Sequence, residues 1–398
     1  MIRSVNVAVL LVLAANLLAY AVDDTAPFAY DSKAPLEIRE SNVDQLPGAS
    51  IHDISYASPN GGRVPAYLIV PTGKGPFAAI EFVHWGQGDR TEFLNEALTY
   101  AKGGTISLLI DAPFNRPDYQ SGPSFMDNPE RERRMYIQLV VDMRRGIDLL
   151  LSRSDVDPKR VAFVGHSLGA TWGGALAGID KRIKAFVLMG GLPNLTDFSG
   201  DDAFSKAVRQ KYSPEQIQKY VQTLGPINPE NFVTRAAPAR LYFQFARWDR
   251  YISQSAAQRY ERVASQPKLS RTYDTSHEFN DPQSSCDRTG WIRQELALGV
   301  AASRTGCGEV GGMHEQMPVS DSSETRQQRQ TEVSDVEQQF ADTMKQRDFS
   351  RFQQFLAPEA IFIGQGQQPT PARGKNAVAA RWRTFLRRVD AAIHQGDT

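Results

Sequence analysis

The chain has 398 residues, of which 41% are hydrophobic and 23% are charged, a composition typical of globular proteins with a large core. Its 45 basic and 45 acidic residues cancel, so the formal net charge at neutral pH is zero. This balance gives no electrostatic basis for binding nucleic acid or an anionic membrane. Since domains typically have about 100–200 residues, the length predicts more than one domain.

Residues 1–21 have the order of features that is typical of a secretory signal peptide. Arg3 is the only charged side chain in this segment, residues 7–18 are almost entirely apolar, and residues 19–21 form a small-x-small cleavage site. The apolar core is shorter than the roughly 20 residues that span a bilayer. We therefore expect cleavage before Val22 and a secreted or periplasmic protein without stable membrane insertion. An uncleaved anchor is the alternative.

The next part of the chain alternates between short β-rich runs and helical patterns. The predicted strands cover residues 51–56, 64–70, 78–83, 105–110, 161–164, 185–189, 241–245 and 269–273. The predicted helices cover residues 92–102, 136–152, 168–178, 253–264 and 284–301. This alternation predicts an α/β domain over 22–303 with a doubly wound, mostly parallel eight-stranded sheet. Residues 193–238 show no strand pattern and are predicted as an insertion that can act as a lid.

A composition change after the α/β domain predicts a second, smaller domain. Residues 304–330 are rich in glycine and polar side chains, as linkers are. Apolar residues at helical spacing then flank a strand-like run, which predicts a small α+β module over 331–398. This module is the candidate surface for a homodimer. The two cysteines, Cys286 and Cys307, either form one disulfide or remain unpaired, and their spacing leaves both options open.

The segment Gly165-His166-Ser167-Leu168-Gly169 lies between a predicted strand and a predicted helix. Glycines two residues before and after the serine allow the backbone to bend sharply and the strand and helix to approach closely. Such a turn exposes the serine oxygen and directs the following backbone N–H toward a developing oxyanion. Ser167 is therefore the candidate nucleophile and Leu168 N–H a candidate oxyanion donor. The alternative is a glycine-rich turn with an incidental serine.

A serine nucleophile needs a base, and six histidines are available. His277 follows the last predicted strand, which places it at the same sheet edge as Ser167. The other five are less suitable. His166 lies beside Ser167, with a side chain expected to point away from it. The remaining four lie in a strand (His52), in the loop after residues 78–83 (His84), in the linker (His314) and at the C-terminal end (His394). His277 is therefore the candidate base.

The base needs an acceptor for its second ring N–H. Asp249 follows the strand at 241–245, and the chain order Ser, Asp, His suits this sheet topology. Asp274 and Asp281, which flank His277, are rival acids. A salt bridge from Asp249 to a neighbouring arginine is the alternative to a catalytic role.

A second oxyanion donor is expected in the loop after the strand at 78–83. This loop has the sequence His84-Trp85-Gly86-Gln87-Gly88, and its glycines allow the backbone to fold over the site. We expect Trp85 N–H to be the donor. The chain has no H-E-x-x-H, C-x-x-C, G-x-x-x-x-G-K-[ST] or G-x-G-x-x-G motif, so neither a metal nor a nucleotide cofactor is expected.

The loop at 84–88, the turn at 165–169 and the loops with Asp249 and His277 carry a resemblance to a known family. On these segments, residues from about 50 to 300 resemble the α/β-hydrolase family, particularly its dienelactone-hydrolase and prolyl-oligopeptidase-like branch. The residues 64–71 and 155–160 add to the resemblance. It implies a Ser-Asp-His hydrolase that acts on a small-molecule substrate through an acyl-enzyme. Two residues depart from the pattern: Ala246 stands where the acid loop usually has glycine, and Ser167 stands where dienelactone hydrolases have cysteine. The second departure favours esterase-like relatives.

The C-terminal module resembles a truncated SnoaL-like, or ketosteroid-isomerase-like, fold. The segments Arg347-Asp348-Phe349 and Gly374-Lys375-Asn376 carry this resemblance, which implies no catalytic residues here. Together, these features predict a secreted serine hydrolase that cleaves a carboxylic ester. An amidase or peptidase of the same fold is one alternative. A catalytically silent binding or assembly protein is the other.

Overall fold

The computed structural model describes residues 24–116, 126–200 and 203–299, together with short stretches between residues 339 and 380. The chain divides into two compact units, residues 1–310 and residues 311–398. The predicted signal peptide, the whole predicted linker and Cys307 lie outside the described residues. Cys286 is disulfide-bonded.

The first unit is built on one sheet, which has nine strands in the part of the chain described. The strands are β1 (Arg39–Leu46), β2 (Ala49–Ala57), β3 (Arg63–Pro71), β4 (Phe77–Val83), β5 (Thr105–Ile110), β6 (Val156–His166), β7 (Ala185–Met189), β8 (Arg240–Ala246) and β9 (Lys268–Tyr273). Their order is β1-β2-β3-β5-β4-β6-β7-β8-β9. Strands β4 to β9 are parallel, and β1 to β3 are antiparallel additions at one edge. The predicted doubly wound, mostly parallel sheet is confirmed.

One strand more is present than the eight that we predicted. Strand β1 has the sequence RESNVDQL, in which six residues are exposed and two are half-buried. It therefore lacks the alternation of apolar and polar residues by which strands are predicted. Antiparallel pairing with β2, from Arg39 opposite Ser55 to Leu46 opposite Ala49, holds it in the sheet.

Helices cover both faces of the sheet. They are α1 (Leu94–Ala101), α2 (Pro129–Ser152), α3 (Leu168–Ile179), α4 (Ala203–Lys211), α5 (Pro214–Leu224), α6 (Glu230–Val233), α7 (Gln254–Val263) and α8 (Pro282–Glu295). Successive side chains of β4 point to opposite faces. Phe82 packs at 6.2 Å from the Tyr100 ring of α1, whereas Glu81 points at Gly146 of α2. All seven residues of β4 are buried, as in a strand covered on both sides.

The insertion at 193–238 is helical, as its lack of a strand pattern predicted. Helix α5 packs against α2, and α6 packs against α3. The approach of α6 is close, because a Cβ at Gly178 of α3 would lie 2.1 Å from the carbonyl oxygen of Phe232. Tyr220 and Ile227 are also buried in the core. These contacts attach the insertion to the helical layer, and its movement as a lid stays a prediction.

The described residues of the second unit contain a short helix, α9 (Phe349–Phe352), and two short strands, β10 (Ile361–Phe362) and β11 (Ala372–Arg373). The strands pair antiparallel, with Ile361 opposite Arg373. The resemblance to a SnoaL-like fold stays a prediction. Among the described residues, every helix is too short or too polar to cross a bilayer.

Candidate active site

Ser167 occupies a strained position at the junction of β6 and α3. Its φ is +53° and its ψ is −108°, a conformation that is costly for a residue with a side chain. The two flanking glycines permit the turn. A Cβ at Gly165 would lie 2.5 Å from the carbonyl carbon of Gly169, and a Cβ at Gly169 would lie 2.2 Å from the Val83 carbonyl oxygen. The sharp turn and close approach expected from the sequence are therefore present.

Four loops converge at one edge of the sheet because parallel strands end there together. Ser167 follows β6, Asp249 follows β8, His277 follows β9 and Trp85 follows β4. The Ser167 N–H donates to the Met189 carbonyl oxygen at 2.7 Å, which joins the turn to the end of β7. The convergence of these residues is the arrangement expected at the carboxyl edge of such a sheet.

His277 and Asp249 form a buried pair. Nδ1 of His277 lies 2.8 Å from Oδ2 of Asp249, and each side chain is 1% exposed. The other carboxylate oxygen accepts hydrogen bonds from the N–H groups of Tyr251, at 2.8 Å, and Ile252, at 2.9 Å. Because the carboxylate accepts, we assign the proton to Nδ1 of His277, which leaves Nε2 free to accept.

The two rival acids make other contacts. Asp274 forms an exposed ion pair with Arg247 at 2.5 Å, and Asp281 caps α8 by accepting from the Ser284 N–H at 2.7 Å. The alternative for Asp249, a salt bridge to Arg247 or Arg250, is also not found, since Arg250 pairs with Glu278 at 2.7 Å. Asp249 is thus the carboxylate that the structure brings to the His277 ring.

The Trp85 N–H differs from the expectation of a donor that faces Ser167. It donates to Oε2 of Glu92 at 2.8 Å. Gly86, the next residue in the loop, approaches the residue after the serine, since a Cβ there would lie 3.1 Å from Cδ1 of Leu168. No described residue accepts a hydrogen bond from the Gly86 N–H. The carboxylate of Glu92, which the sequence did not single out, explains the difference.

His166 also makes contacts that were not predicted. We expected its side chain to point away from Ser167, and it reaches Oε1 of Glu92 at 2.6 Å and the main-chain oxygen of His277 at 2.7 Å. Its ring lies parallel to the Trp85 ring, with centroids 5.8 Å apart and an interplanar angle of 11°. In the sequence, the only signs of this contact are a histidine beside the nucleophile and a glutamate just before α1. Their spacing along the chain does not predict that His166 and Glu92 meet.

An exposed tyrosine lies at the rim of the site. The Tyr251 ring contacts the His277 ring edge-on at 4.8 Å and is 41% exposed. The Arg250 guanidinium lies over the ring of this tyrosine, 4.9 Å from its centroid. Tyr251 is therefore a partly exposed side chain in direct contact with the buried imidazole.

The fold is shared with two solved acetyl xylan esterases. The enzyme from Paenibacillus sp. R4 has a TM-score of 0.59 at 24% identity, covering 68% of this chain and 92% of that chain. The enzyme from a Thermoanaerobacterium species has a TM-score of 0.57 at 17% identity, covering 69% of this chain and 92% of that chain. At these identities the likeness shows the fold alone, and the α/β-hydrolase fold predicted from the sequence is confirmed.

The curated protein YtaP of Bacillus subtilis is 27% identical to this chain over 141 residues. The matched part is 31% of this chain and spans about half of the relative, 47% of its length. The family model for acetyl xylan esterase (AXE1) matches residues 28–231. This match includes the Trp85 loop and Ser167 and ends before Asp249 and His277. Because it covers just over half of the 398 residues, the chain belongs to the acetyl xylan esterase family, a family of ester-hydrolysing enzymes.

Proposed function

We propose that this protein hydrolyses carboxylic esters with Ser167 as nucleophile, His277 as general base and Asp249 as the acid that orients the base. The observation that carries the proposal is the buried 2.8 Å contact between His277 and Asp249, at the sheet edge where the strained Ser167 stands. A carboxylate on Nδ1 keeps Nε2 as the proton acceptor. Membership of an esterase family supports the same assignment.

In the proposed reaction, Oγ of Ser167 attacks the ester carbonyl carbon while Nε2 of His277 takes the hydroxyl proton. The tetrahedral intermediate collapses as His277 returns this proton to the leaving alkoxide, and an acyl-enzyme remains. Water, deprotonated by His277, then attacks the acyl carbon. The second tetrahedral intermediate collapses as His277 gives this proton to Oγ of Ser167, which releases the acid and restores the free serine. The carboxylate of Asp249 stabilises the imidazolium in both steps.

We assign the oxyanion site to the backbone N–H groups of Leu168 and Gly86. Leu168 N–H follows the nucleophile at the start of α3, where helix N–H groups lack acceptors within the helix. Gly86 replaces the expected Trp85, since the Trp85 N–H is occupied by Glu92. Two donors at this point would stabilise the charge on the tetrahedral oxygen, each worth about 10²- to 10³-fold in rate.

For the substrate, we propose acetyl esters of carbohydrates. The support is the family description and the two solved acetyl xylan esterases with this fold. Purified protein should release acetate from acetylated xylan and should cleave p-nitrophenyl acetate faster than the corresponding butyrate and octanoate. Faster cleavage of the octanoate would contradict the acetyl assignment and would leave the ester-hydrolase assignment intact.

The central experiment compares wild type with Ser167→Ala and His277→Ala. Nucleophile and base act as a unit, so each change should lower kcat on p-nitrophenyl acetate by a similar factor, on the order of 10⁴ or more. A fluorophosphonate probe should label wild type and leave Ser167→Ala unlabelled. If the Ser167→Ala protein keeps its circular dichroism spectrum and hydrolyses the ester at the wild-type rate, the proposal fails. A wild type that neither turns over nor labels would favour the silent binding protein.

We also propose that the protein is exported, with cleavage before Val22, because Arg3, the apolar core and the cleavage site stand in the order of a signal peptide. Mass spectrometry of exported protein should find Val22 at the N-terminus. An N-terminal Met1 would indicate an uncleaved anchor.

We propose the module at 331–398 as the surface through which the protein forms a homodimer. Removal of this module should therefore leave a monomer.

A further inference from the structure

A second histidine–carboxylate pair lies next to His277. His166 is the last residue of β6 and Glu92 lies in the loop before α1, and their side chains are 3% and 20% exposed. The two oxygens of Glu92 have different partners: Oε1 contacts Nδ1 of His166 at 2.6 Å, and Oε2 accepts from the Trp85 N–H at 2.8 Å. The other ring nitrogen of His166 lies 2.7 Å from the main-chain oxygen of His277. These bonds form one continuous connection from the Trp85 loop to the base.

Hydrogen-bond accounting defines the protons in this connection. The main-chain oxygen of His277 can only accept, so Nε2 of His166 carries a proton and donates it. The 2.6 Å contact between Nδ1 of His166 and Oε1 of Glu92 needs one more proton between the two atoms. Histidine and glutamate together therefore hold one shared proton, and the pair is neutral in sum. Ring contacts enclose the histidine further, with Trp85 stacked on one side and Phe279 edge-on at 5.6 Å.

We propose that Glu92 and His166 are positioning residues. They fix the distance between the Trp85 loop, which carries the Gly86 N–H, and the base His277. This inference rests on the proposed roles of Ser167 and His277. One end of the connection holds the loop that carries Gly86, and the other end holds the backbone of His277. Both loops act on the same tetrahedral intermediate, so a change in their separation weakens transition-state binding more than substrate binding. A misplacement of about 1 Å can cost about 10²-fold in rate.

The test compares Glu92→Leu with Glu92→Gln in the full-length protein. Leucine removes both hydrogen bonds of the carboxylate. Glutamine can keep the connection, because its amide oxygen can accept from the Trp85 N–H while its NH₂ group donates to Nδ1 of a neutral His166. We expect Glu92→Leu to lower kcat on p-nitrophenyl acetate about 10- to 100-fold with KM changed less than about twofold. Glu92→Gln should keep kcat within about threefold of wild type.

The chain offers a control contact of equal length at the other end of the sheet. Glu40 of β1 contacts Nδ1 of His52 on β2 at the same 2.6 Å, far from the four catalytic loops in the strand order. Glu40→Leu removes a histidine–carboxylate contact of the same length, in a pair that is more exposed than His166 and Glu92, at 24% and 48%. It should leave kcat and KM unchanged. It therefore separates the loss of such a pair in general from its loss beside His277.

Three results would overturn the proposal: a wild-type kcat in Glu92→Leu, an equal loss of kcat in Glu92→Leu and Glu92→Gln, or an equal loss in Glu40→Leu. If Glu92→Leu does not fold, His166→Phe carries the test, since phenylalanine keeps the ring against Trp85 and removes both hydrogen bonds. The same 10- to 100-fold loss is expected, and a wild-type kcat would again overturn the proposal. Ser167→Ala in parallel separates the two hypotheses: an inactive Ser167→Ala beside a fully active Glu92→Leu contradicts only the positioning role.

Discussion

Asp249 and His277 are 28 residues apart in the chain, and their side chains meet at 2.8 Å with almost no exposure to solvent. Replacing Asp249 with Asn leaves the shape of the site and removes the charge that orients the imidazole. An amide NH₂ facing Nδ1 would favour the tautomer with the proton on Nε2, which cannot accept from Ser167. We therefore expect kcat on p-nitrophenyl acetate to fall by up to about 10⁴-fold.

Asp274→Asn is the control for this measurement. Asp274 is close to His277 in the sequence, but its exposed carboxylate pairs with Arg247. Exposed ion pairs contribute about 0–1 kcal/mol to stability, so this variant should keep wild-type kinetics. A full loss of activity in Asp274→Asn with an active Asp249→Asn would transfer the acid role to Asp274.

The close approach of α3 to the end of β4 depends on Gly169. A Cβ there would lie 2.2 Å from the Val83 carbonyl oxygen, which is backbone and cannot rotate away. Gly169→Ala should therefore displace the start of α3, lower kcat by more than tenfold and destabilise the fold by about 1–3 kcal/mol. Chemical denaturation and ester hydrolysis measure the two effects.

Gly225→Ala provides the matched control for that substitution. Gly225 has φ −48° and ψ −44°, and nothing apart from its chain neighbours lies within 4 Å of a Cβ placed on it. Because residue 226 is proline, an alanine at 225 is disfavoured in this helical conformation, so Gly225→Ala should lower the free energy of unfolding. Its kcat should stay at the wild-type value, since Gly225 lies in the insertion and outside the four catalytic loops. If both variants behaved alike, the steric argument for Gly169 would be wrong.

Glu81 is a fully buried carboxylate in β4, and no described residue is hydrogen-bonded to either of its oxygens. Burial raises the pKa of Glu81 well above its ordinary value, and the nearby charges act in both directions. Those that raise it are Asp180, Asp142 and Asp148, whereas Arg182 lowers it. A pKa raised in the folded state means that stability is highest below the unfolded carboxyl value of about 4.3 and is lost as pH rises toward the folded value.

Glu81→Gln should remove this pH dependence because glutamine does not ionise. The free energy of unfolding of the variant, relative to wild type, should rise between about pH 5 and pH 8, in the range above the unfolded carboxyl value. Urea denaturation at several pH values measures the difference. Parallel stability curves for the two proteins would show that Glu81 is not a source of the pH dependence.

Removal of the chain from Gly311 onward should leave an active enzyme. The division into compact units falls between Val310 and Gly311, and all the proposed catalytic residues precede it. The truncated protein retains both cysteines, so it can keep the disulfide at Cys286. We expect a kcat on p-nitrophenyl acetate within about threefold of wild type, as for separately folding domains. Insolubility, or loss of most of the activity, would contradict the separation of the two units.

The sequence alone determined the features that depend on local sterics and periodicity. Apolar strands alternating with helical patterns predicted the parallel sheet, and the glycines around Ser167 predicted a turn that the structure shows at φ +53°. The placement of Asp249 and His277 at one sheet edge also followed from the sequence, because the ends of parallel strands coincide. Strand β1 was not predicted, since its exposed polar side chains carry no pattern and only pairing with β2 defines it.

Only the tertiary structure decided that Asp249 is the carboxylate that contacts His277. It also decided that the N–H of Trp85, in the Trp85 loop, is bonded to Glu92. Glu92 and His166 are 74 residues apart in the chain, and His166 and the carbonyl of His277 are 111 apart. Contacts of this kind depend on how loops from separate strands pack over the sheet edge, and neither residue type nor local spacing encodes them. Hydrogen bonds act over about 3 Å, so a shift of one loop by a single residue would change every partner in this group.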